Sequence, residues 1–163
     1  MIPAAKPIIG DDERAAVDRV LRSGMLAQGP EVAAFEEEFS KHVGGRHCIA
    51  MNSGTSALHL GFIAAGIKAG DEVIVPSFSF AATANSVALA GGIPVFGDID
   101  PKTFNLDPDH AESLITSKTK AIMPVHLYGH IAAMDRFAEI GKKHGVQIIE
   151  DAAQGHLASL HGK

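Results

Sequence analysis

The stretch EVIVPSFSFAATANSVALAGGIPVFGD, residues 72–98, decides the fold class of this chain. It contains two short apolar runs, Glu72–Pro76 and Pro94–Asp98, and a helix candidate at about residues 79–90 lies between them. Short apolar strands that alternate with helices are typical of parallel sheets covered on both faces. The stretch therefore predicts a strand, a helix and a second strand that belong to one α/β domain.

The same alternation continues on both sides of this stretch. The other strand candidates are short apolar runs at His47–Asn52, Ala121–Val125 and Val146–Glu150. The other helix candidates cover about residues 11–23, a segment from Pro30 to Gly44-Gly45, and about residues 55–66, 108–116 and 132–144. Together they predict an α/β fold with a mostly parallel open sheet and helices on both faces. Residues 1–45 are expected to form an N-terminal helical segment, and residues 46–163 the α/β domain.

Local signals support several helix ends. Asp11-Asp12-Glu13 places three acidic residues in a first helical turn, and Gly24 provides a stop. Asp107-Pro108 combines a capping residue with a residue that suits the first helical position, and Gly145 provides another stop. These pairs predict helices that begin and end close to the positions given by the apolar pattern.

Composition narrows the functional classes. The chain has 163 residues, of which 46% are hydrophobic and 20% charged, an ordinary globular balance. A net charge of −5 does not favour binding to nucleic acid or to anionic membranes. Cys48 is the single cysteine, which excludes an intrachain disulfide. Residues 1–10 lack the apolar run of a signal peptide, and no stretch approaches the ~18 apolar residues of a membrane span. A cytoplasmic protein is expected.

Nine histidines raise the question of a metal site. His126 and His130 are four positions apart, a spacing that would place two imidazoles on one face of a helix. The intervening glycine and the preceding strand candidate argue against a helix there. Cysteines or carboxylates do not cluster beside these histidines, so hydrogen-bonded or solvated imidazoles are favoured over metal ligands.

Ligands of open parallel sheets bind beyond the carboxyl ends of the strands, and small hydroxyl residues occur at one such end. Gly54, Thr55 and Ser56 lie between a strand candidate and a helix candidate. Free amides at a helix start attract an anion, glycine permits close approach, and the hydroxyls add donors. These residues are candidates for a phosphate site, although an ordinary helix cap would use the same residue types.

An aromatic ring and a carboxylate occur at the ends of two other strand candidates. Phe80 could stack on a flat heteroaromatic ligand or pack in the core. Asp151 could pair with a protonated ring nitrogen or cap a turn, and Gln154 follows three positions later. His126 and Tyr128 are possible contacts to a substrate or to other site residues. A phosphate site, a stacking ring and a carboxylate together fit a phosphorylated pyridine, which is how proteins bind pyridoxal phosphate.

Seven segments in order make the chain similar to a known family. They are Gly29-Pro30 with Phe35-Glu36, residues 52–58 (NSGTSAL), residues 70–80 (GDEVIVPSFSF), residues 82–85 (ATAN), residues 94–100 (PVFGDID), residues 124–129 (PVHLYG) and residues 149–154 (IEDAAQ). This set resembles the DegT/DnrJ/EryC1/StrS aminotransferases, which have the type I pyridoxal-phosphate fold. The resemblance covers nearly the whole chain.

The resemblance implies a role for each candidate residue. Gly54, Thr55 and Ser56 would hold the phosphate of the cofactor, and Phe80 would stack on its pyridine ring. The carboxylate of Asp151 would pair with the ring nitrogen, and Gln154 would contact the side of the ring that carries the hydroxyl. Residues 46–163 would then be the cofactor-binding domain of an enzyme that transfers an amino group from glutamate to a keto-sugar nucleotide, as a homodimer.

One family feature does not occur in the chain. The Schiff-base lysine of this family follows further strands, within a motif that resembles S-F-x-x-x-K, and Lys163 is too close to Asp151 to replace it. The resemblance therefore implies a chain truncated before its catalytic lysine, without an assignable catalytic residue and inactive alone. Three alternatives stay open: another type I pyridoxal-phosphate enzyme such as a lyase, a family dehydratase with histidine at the lysine position, and a non-enzymatic regulatory protein on the same fold.

Overall fold

The computed structural model describes residues 6–162. They divide into two compact units, the first ending at Ala50 and the second beginning at Met51. The predicted boundary between residues 45 and 46 stays a prediction. Lys163, which the sequence argues against as the Schiff-base lysine, lies outside the described residues, as do residues 1–5.

The first unit contains two helices, α1 (Asp11–Ser23) and α2 (Pro30–His42). Helix α1 begins where the amide of Gly10 donates to the carboxylate of Glu13 at 2.6 Å. It ends at Gly24, whose φ of 70° lies in the left-handed region that favours glycine. Both helices have the predicted starts, and the Gly24 stop is confirmed.

The strand predicted at His47–Asn52 is wrong. Residues 46–50 have no regular secondary structure, and none of the strands in the described part of the chain pairs with them. The amide of Ala50 instead donates to the Glu36 carboxylate at 2.7 Å. An apolar run becomes a strand when a neighbouring strand accepts its backbone hydrogen bonds, and this run has no such neighbour.

The second unit is built on a four-stranded parallel sheet in the order β2-β1-β3-β4. The strands are β1 (Glu72–Pro76), β2 (Ile93–Gly97), β3 (Thr119–Ile122) and β4 (Gln147–Ile148). The predicted fold class is confirmed. Strands β3 and β4 are shorter than predicted because Pro124 has no amide to donate to the ladder. An isolated bridge between Val125 and Asp151 extends the pairing beyond that point.

Four helices cover the sheet of the second unit, one before β1 and three between consecutive strands. They are α3 (Gly54–Ala64), α4 (Ala82–Leu89), α5 (Pro108–Ser113) and α6 (Met134–His144). The carboxylate of Asp107 accepts the amides of Asp109 and His110 at 2.8 and 3.2 Å, which confirms the predicted cap. Helix α6 ends at Gly145 with φ 68°, as predicted. Helices α4 and α5 are shorter than their apolar patterns suggested.

Two separate apolar clusters form on opposite faces of the sheet. Ile74 of β1 belongs to the first cluster, which also contains Phe137 of α6. The adjacent residues Val73 and Val75 belong to the second, which also contains Phe62 of α3. Successive side chains of a strand point to opposite faces, so β1 supplies both clusters in alternation. The result is a sheet covered by helices on both faces, whose carboxyl edge, where the parallel strands end, stays open.

Candidate functional site

A cavity of about 280 Å³ opens at the carboxyl edge of the sheet. Its volume is close to the lower end of the ~300–1,000 Å³ typical of ligand pockets. Five of the six residues predicted for the site line it: Gly54, Thr55, Phe80, Asp151 and Gln154. These residues come from three separate stretches of sequence, which the parallel topology brings to one place.

The first turn of helix α3 forms one side of the cavity. The Ser53 hydroxyl accepts the Ser56 amide at 3.1 Å and lies 2.9 Å from the Ser56 hydroxyl. Ser56 is thus engaged by the helix cap and does not line the cavity. The amides of Gly54 and Thr55 have no hydrogen-bond partner among the described residues. A side chain added at Gly54 would meet no atom within 4 Å, so an anion can approach the backbone closely at this position.

Phe80 provides an aromatic surface at the cavity. Its side chain follows β1 and is 76% exposed, so the alternative of a core residue is not realised. The segment that carries it is held by the hydroxyls of Ser79 and Thr83, which are 2.8 Å apart. Thr83 is buried in the first turn of α4. An exposed ring on a fixed backbone can stack on a flat ligand without further reorganisation.

Asp151 is a buried carboxylate at the wall of the cavity, with an exposed fraction of 8%. Its backbone is fixed, because its amide donates to the Pro124 carbonyl at 3.0 Å. The Oδ1 atom accepts the Ala153 amide at 3.1 Å. Oδ2 makes no hydrogen bond within residues 6–162 and reaches solvent, since none of the fully buried side-chain oxygens there lacks a partner. A carboxylate oxygen that is free towards a cavity can accept a charge-assisted hydrogen bond from a cation or an N–H group. The position therefore favours a ligand that carries a protonated nitrogen.

Gln154 is held in one orientation. The Tyr128 amide donates to its Oε1 atom at 2.7 Å. Because a backbone N–H can only donate, the side-chain NH₂ of Gln154 is left to donate elsewhere. Tyr128 has a φ of 54°, unusual for a residue other than glycine, and its side chain is exposed. Tyr128 thus contributes to the site through its backbone.

Several residues of the cavity wall were not singled out in the sequence. Leu58, Val125 and Leu127 supply apolar surface, and Thr83 and Ala153 lie beside the predicted residues. Leu127 is fixed by a buried side chain, since its amide donates to Asn105 Oδ1 at 3.1 Å. The position of Val125 at the end of an apolar run is a signal that could have identified it, whereas Asn105 carries no comparable signal.

Two negative findings concern the described residues. Within residues 6–162, His, Cys, Asp and Glu side chains form no group of three or more that could hold a metal ion. In the same part of the chain, no helix combines the length and the apolar character needed to cross a membrane.

An open parallel sheet with helices on both faces and a cavity at its carboxyl edge defines an α/β ligand-binding domain. The sequence model of the DegT/DnrJ/EryC1/StrS aminotransferase family matches residues 7–163, and the chain belongs to this family. The family assignment made from the ordered sequence segments is thereby confirmed.

Three similar proteins illustrate the relationship. The UDP-2-acetamido-2-deoxy-3-oxo-D-glucuronate aminotransferase of Pseudomonas aeruginosa is 48% identical over 95% of this chain and 43% of its own length. The GDP-perosamine synthase of Caulobacter vibrioides is 47% identical over 99% of this chain and 44% of its own length. The crystal structure of NtdA from Bacillus subtilis with bound cofactor PMP has 43% identity and a TM-score of 0.85, over 89% of this chain and 33% of that one. The chain thus spans less than half the length of these proteins.

Proposed function

We propose that this chain forms the cofactor-binding part of a pyridoxal-phosphate-dependent aminotransferase. The reaction is the transfer of an amino group from an amino acid, glutamate, to a keto-sugar nucleotide. Membership of an aminotransferase family supports the reaction class. Two similar proteins whose names refer to UDP- and GDP-linked sugars support the substrate class.

The single observation that carries the proposal is the state of Asp151. A carboxylate that is 8% exposed, with Oδ2 unpaired by any described residue, lies at the wall of a cavity. An opposite charge or a strong donor at its free oxygen would form a charge-assisted hydrogen bond with it. A protonated pyridine nitrogen supplies both, so the donor set at this wall fits the cofactor.

The other residues of the cavity match the remaining parts of the cofactor. The amides of Gly54 and Thr55 and the Thr55 hydroxyl would bind the phosphate, with Ser56 supporting the helix start through its bonds to Ser53. The Phe80 ring would stack on the pyridine, and the free NH₂ of Gln154 would donate to the ring hydroxyl. Pyridoxal phosphate supplies an electron sink for a substrate that loses its α-proton. By holding positive charge on the ring nitrogen, Asp151 would strengthen that sink.

The proposal includes a homodimer in the cytoplasm. Apolar side chains on the surface of the second unit support an additional partner surface: Ile63, Leu89 and Phe96 are each at least half exposed. A second copy would remove part of this apolar area from water. Cys48, the single cysteine, is compatible with a reducing compartment.

Titration with pyridoxal phosphate, followed by the absorbance of the cofactor, tests the site. We expect saturable binding by this chain and roughly hundredfold weaker binding by Asp151→Asn, because charge-assisted hydrogen bonds contribute about 1.5–3 kcal/mol. The asparagine keeps the acceptor for the Ala153 amide, so the fold is retained. Pyridoxal without phosphate should bind weakly to both proteins. Equal affinity of Asp151→Asn and the unchanged chain would overturn the cofactor assignment.

The amino-transfer reaction needs a separate test. The whole polypeptide that carries these residues is incubated with glutamate and a UDP-linked 3-keto sugar, and the amino sugar is sought by mass spectrometry. We expect product formation that Asp151→Asn abolishes. Tight cofactor binding without any amino sugar from UDP- or GDP-linked keto sugars would favour another pyridoxal-phosphate reaction or a regulatory role.

A further inference from the structure

His126 is a buried imidazole whose two ring nitrogens both make hydrogen bonds. Its exposed fraction is 4%, and it does not line the cavity. The Ala132 amide donates to Nδ1 at 3.3 Å, and Nε2 lies 3.1 Å from Glu150 Oε2. Because a backbone N–H can only donate, Nδ1 must be the acceptor. The ring is therefore neutral, with its proton on Nε2 directed at the Glu150 carboxylate.

The same residue contacts the segment that carries the cofactor-facing side chains. The backbone amide of His126 donates to the Asp151 carbonyl at 3.0 Å. Gly155 packs so closely on the other side that an added Cβ would lie 2.8 Å from the Cβ of His126. With the bond to Glu150, His126 touches residues 150–155 at three points. Asp151 and Gln154 lie between the outer two.

These contacts fix the orientation of the His126 ring and of residues 150–155 more than they add to the stability of the fold. Glu150 is 53% exposed, so its bond to the ring is weakened by water. The ring itself is buried, and a ring nitrogen that lost its partner would remain without one. Rotation of the imidazole is therefore disfavoured, and the segment bonded to it keeps one position relative to the cavity.

We propose that His126 is a positioning residue for the cofactor site. Its neutral imidazole ties the 126–132 turn, through Nδ1, to the 150–155 segment, through Nε2 and Glu150, and so holds Asp151 and Gln154 at the cavity. The inference rests on the proposed function, because it assigns His126 a role in presenting Asp151 to the cofactor.

Two substitutions separate the two ring nitrogens. In His126→Asn, the side-chain oxygen stands near the Nδ1 position and keeps the Ala132 bond, but the side chain is too short to reach Glu150. In His126→Gln, the longer NH₂ group reaches Glu150, but the Ala132 bond is lost. Both replace the ring by a smaller amide, so a purely structural role would lower the melting temperature and the pyridoxal-phosphate affinity to similar extents in both. We instead expect roughly tenfold weaker cofactor binding for His126→Asn and less than about threefold for His126→Gln.

Variants of Glu150 provide the matched control. Glu150→Gln retains an oxygen that accepts from Nε2 and should bind pyridoxal phosphate like the unchanged chain. Glu150→Ala should weaken binding by roughly tenfold, while the Ala132 bond keeps the proton of the His126 ring on Nε2, which nitrogen-15 NMR of the imidazole reports directly.

The outcomes distinguish this inference from the proposed function. If Asp151→Asn weakens cofactor binding while Glu150→Ala and His126→Asn do not, the site stands and the positioning role is overturned. If Asp151→Asn has no effect, the proposed function fails first. A proton on Nδ1 of His126 in the unchanged chain would also overturn the inference.

Discussion

Acidic side chains at the two edges of the parallel sheet differ in whether their carboxylate oxygens have hydrogen-bond partners. At the amino edge, where β1 begins, Glu72 Oε2 accepts the hydroxyl of Thr116 at 2.5 Å and is 3.4 Å from that of Thr119. At the carboxyl edge, Asp151 is more buried than the half-buried Glu72, and its Oδ2 atom has no partner among residues 6–162. One edge satisfies its carboxylates internally, and the other leaves one for a ligand.

An ion-pair cluster strengthens the contrast. Helices α5 and α6 return the chain from the carboxyl ends of strands towards the amino edge, and Glu112 lies near the end of α5. Its carboxylate contacts Lys143 at 2.7 Å and His144 at 2.8 Å. The carboxylates described at the amino edge thus have partners that stabilise the fold, whereas polar groups at the carboxyl edge can still form hydrogen bonds to a ligand. Functional sites commonly sacrifice local stability in this way.

The largest expected effect comes from forcing the carboxyl edge apart. In Gly155→Ala the new Cβ would lie 2.8 Å from the His126 Cβ, so one backbone segment must move. We expect a loss of about 1–3 kcal/mol in the free energy of unfolding and weaker binding of pyridoxal phosphate. Chemical denaturation and cofactor titration measure the two effects.

The matched control for this substitution is Gly54→Ala. A side chain added there meets no atom within 4 Å, so its unfolding free energy should not fall. A Gly155→Ala protein as stable as the unchanged chain would contradict the close packing of His126 against this segment.

A smaller effect is expected when the amino edge loses its acceptor. Glu72→Ala leaves the buried Thr119 hydroxyl and the Thr116 hydroxyl without their carboxylate. The expected cost is about 1 kcal/mol in the free energy of unfolding, with unchanged affinity for pyridoxal phosphate. Glu72→Gln retains an acceptor and should lose less. The comparison of the two edges fails if Glu72→Ala changes cofactor binding as much as Asp151→Asn does.

The smallest expected effect is a pH dependence at the amino edge. The hydrogen bonds from Lys143 and then His144 lower the pKa of Glu112 from 4.5 to about 2. The unfolded chain therefore binds a proton at higher pH than the folded chain, and the stabilisation from Glu112 is lost as the pH falls from about 4.5 towards 2. In Glu112→Gln this loss is absent, so its melting temperature should approach that of the unchanged chain between about pH 6 and pH 3. If the difference between the two melting temperatures stayed constant over this pH range, protonation of Glu112 would not be coupled to unfolding.

Much of the fold follows from local sequence signals. Glu72–Pro76 was predicted with the bounds that β1 has, because a continuous apolar run lies between turn residues. The Asp107-Pro108 pair likewise predicted the start of α5. The failure at His47–Asn52 has a different origin. Its apolar residues resemble a strand locally, but strand formation depends on a neighbour that the local pattern does not reveal.

The candidate site could be predicted in part for a related reason. Gly54, Phe80 and Asp151 each follow a strand candidate or begin a helix, so parallel topology alone brings them together. Their roles towards pyridoxal phosphate stay predictions. The burial of His126 could not be foreseen, because it depends on contact with Gly155, 29 positions away in the sequence and small enough to admit the ring. The hydrogen bond from the Ser56 amide to the Ser53 hydroxyl could not be predicted either, because several residues near the helix start could act as the cap.

The alternation of side chains along β1 has a consequence for how this domain tolerates change. Ile74 and Val75 are neighbours in sequence but belong to separate apolar clusters, so β1 separates the two clusters while it contributes side chains to both. A substitution that changes the packing of one cluster leaves the packing partners in the other cluster in place. The cluster around Ile74 can therefore accept substitutions independently of the cluster around Val75, provided that the backbone of β1 keeps its position.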